Sequence, residues 1–176
     1  MWNGTALPPH AQGAITLTGT AGGDILVDVD ARTFGDPLPP GAPGSTDRLW
    51  EYEVVELFLA GAGRAYLEVE LGPGGHYLVL MLDDIRAPQA SGLPLEYRVR
   101  MHDGRISGHA RIPANYLPVG PLRANAYAIH AHACHGGEGR CHHAHAAVPG
   151  DAPDFHQPGC FVPISLEHPA GGRQPG

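Results

Sequence analysis

Residues 52–82 read YEVVELFLAGAGRAYLEVELGPGGHYLVLML. Three apolar-rich runs are separated by two short glycine-containing segments, GAGR at 61–64 and GPGG at 72–75. Short alternating runs bounded by such turns are strands of antiparallel hairpins. Side chains alternate faces along a strand, so Val55, Leu57 and Leu59 share one face, and Leu67, Val69 and Leu71 share one face. Matching the apolar faces across the hairpin sets Leu57 near Leu67 and Val55 near Val69. Glu56 then lies opposite Glu68, with Tyr52, Phe58, Tyr66 and Glu70 on the same side. The next turn assigns Leu78, Leu80 and Leu82 to the core and Tyr77, Val79 and Met81 to the glutamate face.

The same alternation recurs outward in both directions. Strands are expected at 13–18, 24–34, 52–60, 65–71, 76–82, 95–102, 105–112, 122–134, 141–147 and 161–166. Segment 35–46 (GDPLPPGAPGST) is a Pro/Gly loop, and IPANYLP at 112–118 has room for one helical turn. No run keeps a 3.6-residue period over three turns. With Gly 25 and Pro 18 acting as punctuation, the expected fold class is all-β: a two-sheet antiparallel β-sandwich of jelly-roll or carbohydrate-binding-module type. A length of 176 residues fits one domain, expected at 1–168 with a flexible C-terminal tail at 169–176.

Composition narrows the function classes. Hydrophobic residues make up 43%, enough for a core. The formal net charge is −7 and all eleven basic residues are Arg, which argues against a nucleic-acid partner. No apolar run has the length of a membrane span. The N-terminal MWNGTALPPH has neither a basic region nor an apolar stretch of a secretory signal. Three cysteines, Cys134, Cys141 and Cys160, are too few for a disulfide framework. The expected compartment is cytoplasmic.

Two carboxylates directly opposed on a sheet repel. Water, an arginine, a cation or a polyol offsets that repulsion, and strand parity nominates Arg98 and Arg100. A face carrying Tyr, Glu and Arg suits sugar recognition, because hydroxyl pairs take bidentate hydrogen bonds and rings take C–H faces. The alternative is the solvated outer face of an antiparallel sheet. For glycoside hydrolysis, nothing in the sequence separates an acid from a nucleophile.

Residues 130–145 read HAHACHGGEGRCHHAH, with six histidines and two cysteines. A hairpin turning at GGEG sets Cys134 against Cys141, His132 against His143, and His130 against His145, all on one face. His132, Cys134, Cys141 and His143 are then a candidate tetrahedral set for Zn²⁺ or Cu. A disulfide or a solvated hairpin are the alternatives. Asp154 and His156, in PDFH, form a candidate carboxylate–imidazole pair with Cys160 nearby in sequence, which leaves an enzyme around His156 open.

The strings RLWEYEVVELFLAG, YLEVELGPGGHYLVLML, NAYAIH and PDFHQPGCF resemble a family of small proteins typified by a human chromosome-4 open-reading-frame product. More distantly, the W-x-x-x-x-V-E-x-F strand and Y-L-E-x-E-x-x-P-x-G hairpin look like family 9 carbohydrate-binding modules and DOMON-like β-sandwiches. The resemblance spans about residues 25 to 166 and implies the same sandwich fold. It implies ligand or structural-cation contacts at Trp50, Glu51 and Glu56, and it marks His130 and His156 as the histidines of the shared pattern. The chain has only Trp2 and Trp50, so a two-tryptophan sugar clamp is not expected.

The expected function is a non-catalytic binding module for a carbohydrate or similar polar small molecule. The candidate ligand residues are Trp50, Tyr52, Glu56, Tyr66, Glu68, Glu70, Tyr77, Arg98, Arg100, His130 and His156. The alternative is a metal-binding protein using the His/Cys hairpin. Zn or Ca are the candidate cofactors.

Overall fold

The computed structural model describes residues 1–6, 12–130 and 140–166. Among them are eleven strands: β1 (Ala14–Gly19), β2 (Ile25–Arg32), β3 (Val54–Ala60), β4 (Tyr66–Leu71), β5 (Tyr77–Asp84), β6 (Ala87–Ser91), β7 (Glu96–His102), β8 (Arg105–Ile112), β9 (Arg123–His130), β10 (Cys141–Ala144) and β11 (Val162–Pro163). One sheet runs β1-β2-β8-β7. The other runs β10-β9-β3-β4-β5-β6, with β11 also paired to β9. Every strand pairing is antiparallel. The expected β-sandwich is therefore the observed fold. The only helical pieces described are 3-10 turns, one of them at Ala114–Tyr116 within the expected 112–118 segment. No helix among the described residues is long and apolar enough to cross a membrane. The tail expected at 169–176 lies outside the described residues.

β6 escaped the sequence pattern. Its residues APQAS include a proline and no apolar alternation, and it is an edge strand carrying two register shifts against β5. Proline is tolerated at such an edge.

The sheets enclose one apolar layer, with Ile25, Val27 and Val29 of β2 and Ile106 and Ile112 of β8 facing Val55, Leu57, Leu59, Leu67, Val69, Leu71 and Val79. The smaller sheet follows the period-2 rule: β2 alternates buried and exposed at every position. Its outer face carries the ion pairs Arg105–Asp30 and Arg111–Asp24. The larger sheet does not follow the rule. β3 and β4 are buried at every position, because a second apolar cluster covers their outer face. Leu49, Val54, Phe58, Tyr66, Leu78, Leu80, Tyr127, Val148, Phe155 and Phe161 form it. The covering loops are anchored through the backbone, with the Trp2 N–H donating to the His142 carbonyl and the Val148 N–H to the Trp2 carbonyl.

Two registers differ from expectation. The first hairpin loop takes five residues, 61–65, so Ala60 pairs with Tyr66 and Leu57 with Val69. That moves the pairing by two: Glu56 lies opposite Glu70, and Glu68 lies opposite Phe58. The second loop also takes five residues, so Leu71 pairs with Tyr77. Leu78, Leu80 and Leu82 consequently lie on the glutamate face, while Tyr77, Val79 and Met81 pack between the sheets. Periodicity could not choose between the two phases because both faces of this sheet are apolar.

Gly61 fixes the first loop. A Cβ there would lie 2.2 Å from the Val119 carbonyl oxygen and 3.1 Å from the Pro118 carbonyl carbon, both backbone. The adjacent Ala62 N–H donates to that same Val119 oxygen at 2.8 Å. Gly61→Ala is expected to cost roughly 1–3 kcal/mol by overpacking, visible as a lower thermal midpoint.

Candidate functional site

Two neighbouring strands gather a carboxylate cluster. Glu56 comes from β3, and Glu68 and Glu70 from β4, two residues apart on one face. One carboxylate oxygen of each lies within 4.8 Å of the others. Their residues are 2%, 5% and 0% exposed, respectively. The glutamate face is thus buried beneath loops, not a solvated outer surface. Arg98 and Arg100 do not join it. They sit on β7 of the other sheet, opposite His109 and Ser107. Tyr77 faces the inter-sheet core.

The cluster is electrostatically strained. Burial drives the Glu70 carboxyl well above the ordinary carboxylate range, and the charges of Glu56 and Glu68 add to the rise. Burial and then the Glu68 charge act likewise on Glu56, with Arg140 opposing. Glu68 is raised to about 7 by burial, with Glu70 and Arg86 opposing. Neither Glu70 oxygen has a partner at hydrogen-bond geometry. The Trp50 backbone N–H and Glu68 approach it without reaching that geometry.

A partly exposed rim surrounds these carboxyls. Trp50, 37% exposed, lies in a 3-10 turn at Leu49–Glu51, and the exposed Arg140 guanidinium donates to its carbonyl. Tyr52 is half-buried beside them. On the other side, the Tyr66 hydroxyl and His156 Nδ1 are 2.7 Å apart, and His156 Nδ1 is 4.0 Å from Glu68. The Arg86 N–H donates to the Tyr66 hydroxyl, and its guanidinium pairs with Asp154 at 2.8 Å. Burial, then the Arg86 charge, lowers His156 to about 4, so the ring is neutral at neutral pH. The PDFH segment is held here by aromatic packing: Phe155 stacks on Tyr127 at 3.8 Å, and His156 meets Phe58 edge-on at 5.6 Å. The expected Asp154–His156 pair is a backbone contact, His156 N–H to Asp154 at 3.1 Å. Cys160 has Gln157 as its hydrogen-bond partner.

His130 lies elsewhere, at the end of β9, on the inter-sheet side. Its Nδ1 is 3.5 Å from Glu53. Glu53 also accepts the Phe34 N–H at 2.9 Å and the Asp36 N–H at 3.2 Å. Burial pushes the Glu53 carboxyl up, but the His130 contact and the two backbone donors together hold it below its ordinary value. Glu53 and Asp36 were not among the expected site residues. Glu53 carries a usable signal: it shares the phase of Val55 and Leu57, so it is an acid on a core-facing position. Asp36 sits in the aperiodic 35–46 loop and carries none.

The His/Cys hairpin has a different register from the expected one. Cys141 pairs with His130, His142 with Ile129 and His143 with Ala128. His145 therefore does not oppose His130, and His143 does not oppose position 132. His132 and Cys134 lie outside the described residues. His143 is buried with its ring 5.2 Å from that of His130, while His142 packs against Phe155. Between β1/β2 and β9/β10 runs a cleft of about 690 Å³, floored by Ala124, Ala126 and Ala128 and reached by Arg32, His130 and His143.

No family model matches the chain. A zebrafish protein, "UPF0462 protein C4orf33 homolog", is 38% identical over 152 residues, covering 81% of this chain and 75% of its own. The mouse homolog is 37% identical over 162 residues, covering 86% and 82%. The human UPF0462 protein C4orf33 is 38% identical over 141 residues, covering 75% and 69%. Among solved structures, a Bacteroides uniformis protein described as a "putative carbohydrate-binding protein" superposes with a TM-score of 0.66 at 16% identity, over 89% of this chain and 78% of its own. That likeness concerns the fold. The identities to the vertebrate proteins, over most of each chain, place this protein in the UPF0462 (C4orf33) family.

Proposed function

We propose that the protein is a non-catalytic binding module for a carbohydrate or similar polyol, seated at the rim of the Glu56/Glu68/Glu70 cluster. The observation that carries this reading is Glu70: two buried acceptor atoms with no hydrogen-bond partner. An unsatisfied buried polar group costs about 1–3 kcal/mol, and more when charged. A polyol supplies the missing partners, because its paired hydroxyls both donate and accept. Trp50 offers an exposed ring beside the cluster for a C–H face. Arg140 and Arg86 flank it. The fold of the Bacteroides protein agrees with such a role. The expected Tyr/Glu/Arg face is retained here only in part: Trp50, Tyr52, Glu56, Tyr66, Glu68, Glu70 and His156 belong to the proposed seat, while Tyr77, Arg98, Arg100 and His130 do not.

A glycan array, followed by calorimetry with each hit, tests the proposal. Glu56→Gln and Trp50→Ala are each expected to weaken binding severalfold, the first because a hydrogen bond contributes about 0.5–1.5 kcal/mol, the second because the ring that meets a C–H face is lost. Arg98→Ala is expected to leave affinity unchanged. Binding that survives Glu56→Gln and Trp50→Ala but is lost when Ala126→Trp fills the inter-sheet cleft would move the ligand to that cleft. An array without hits would count against a glycan ligand altogether.

A further inference from the structure

We propose that Asp36, Glu53 and His130 form a binding site for a divalent transition-metal ion, beside the inter-sheet cleft and distinct from both the glutamate cluster and the His132/Cys134/Cys141/His143 set. The register of β3 against β9 builds it. Val54 pairs with Ile129, so one step further sets Glu53 against His130. The loop after β2 then folds back to bring Asp36 to the same point, its N–H donating to Glu53 Oε2. One donor atom from each of the three side chains lies within 4.8 Å of the others.

Two features point to a ligand beyond the side chains themselves. His130 Nδ1 is fully buried and makes no hydrogen bond. It stands 3.5 Å from Glu53 Oε1, longer than the roughly 2.7–2.9 Å of a charge-assisted bond. The pair is thus spaced apart rather than closed. Each Glu53 oxygen accepts one backbone N–H, which fixes the carboxylate and leaves each oxygen a second lone pair. Metal–ligand distances are about 2.0–2.2 Å for imidazole nitrogen and carboxylate oxygen, so small side-chain rotations bring all three donors onto one ion. The Phe34 ring packs at 3.9 Å on the imidazole and fixes its plane.

Donor chemistry selects the ion. One imidazole and two carboxylates suit Zn²⁺, Mn²⁺, Fe²⁺ or Co²⁺. Ca²⁺ and Mg²⁺ favour oxygen-only shells. Three protein donors leave further positions of the ion open. His130 lines both the large cleft and a smaller recess shared with Glu53.

Co²⁺ titration of the untagged full chain, stripped with chelator, tests the site by calorimetry and visible absorption. One equivalent of uptake with d–d bands is expected. Asp36→Asn, on a loop and isosteric, and His130→Ala are each expected to weaken uptake at least about tenfold, in the range that loss of metal-site groups produces. Metal-free melting curves establish that each variant is folded, and Asp36→Asn carries the test where His130→Ala is not. The double variant His132→Ala/His145→Ala is expected to bind as the parent does. No uptake by the parent, or uptake that survives Asp36→Asn and His130→Ala but disappears in the His132/His145 double variant, overturns the assignment.

Discussion

Glu68→Gln is expected to melt roughly 5 °C or more above the parent at pH 8 and level with it near pH 4. Glu68 is 5% exposed, and burial raises its carboxyl to about 7 from 4.5. The folded state therefore holds a proton that the unfolded chain releases earlier. The sign follows from linkage: the contribution of Glu68 to parental stability is greatest below about pH 4.5, falls as pH rises through the interval to about 7, and is level above it. One pKa unit corresponds to 1.36 kcal/mol, so the loss is about 3 kcal/mol. For a chain of this size each kcal/mol moves the midpoint by about 2–4 °C. Glutamine keeps the shape and removes the charge.

His156 has the opposite sign. Its folded value, about 4, lies below the ordinary 6.5. Its contribution is present above pH 6.5 and lost as pH falls toward 4. About a fifth of the side chain is exposed, which reduces the effect to about 2 kcal/mol. In the parent the two slopes oppose between about pH 4.5 and 6.5. Glu68→Gln should expose the His156 slope, with stability rising with pH, and His156→Asn should expose the Glu68 slope, with stability falling. Midpoints measured across pH 4–8 check both. A constant offset between Glu68→Gln and parent at every pH would show that Glu68 titrates alike in the folded and unfolded chains.

The second large effect is expected from Phe58→Ala. Phe58 is fully buried on the outer face of β3. It meets Tyr127 edge-on at 5.2 Å and lies 5.9 Å from Phe161 and 5.6 Å from His156. Its loss opens a cavity at the centre of the cluster that holds the loops onto the sheet. A buried Phe→Ala change costs about 3–5 kcal/mol, or a fall of roughly 10 °C. Were this face solvated, the change would cost little. A fall of less than about 2 °C in the melting midpoint would therefore contradict the two-faced burial of the sheet. Arg98→Ala, on the solvated face of the other sheet, is the matched control.

Strand positions were legible because alternation and turn residues act locally. β8 matches its expected limits, and most other strands match within one or two residues. The registers were not legible. Leu57 opposite Leu67 and Leu57 opposite Val69 satisfy the same apolar matching, and only the loop closed over Gly61 chooses between them. For the site, parity correctly grouped Glu56, Glu68 and Glu70 on one face with Tyr66. It wrongly added Arg98 and Arg100, since parity cannot assign a strand to a sheet. His156 was nominated from PDFH, but its partner Tyr66 is 90 residues away. The hairpin at 130–145 looked self-contained in sequence, yet His130 finds Glu53 and Asp36 from distant segments.

Sequence by itself determined the class of fold, because period-2 patterning, glycine and proline punctuation and the absence of helical periods are properties of short stretches. Tertiary structure alone decided that the glutamate face is buried. Burial depends on loops far along the chain, residues 48–53 and 148–161, returning to cover β3–β5. That covering turns three ordinary surface glutamates into a strained cluster, and the sheet separates them from the Asp36/Glu53/His130 group on its opposite face.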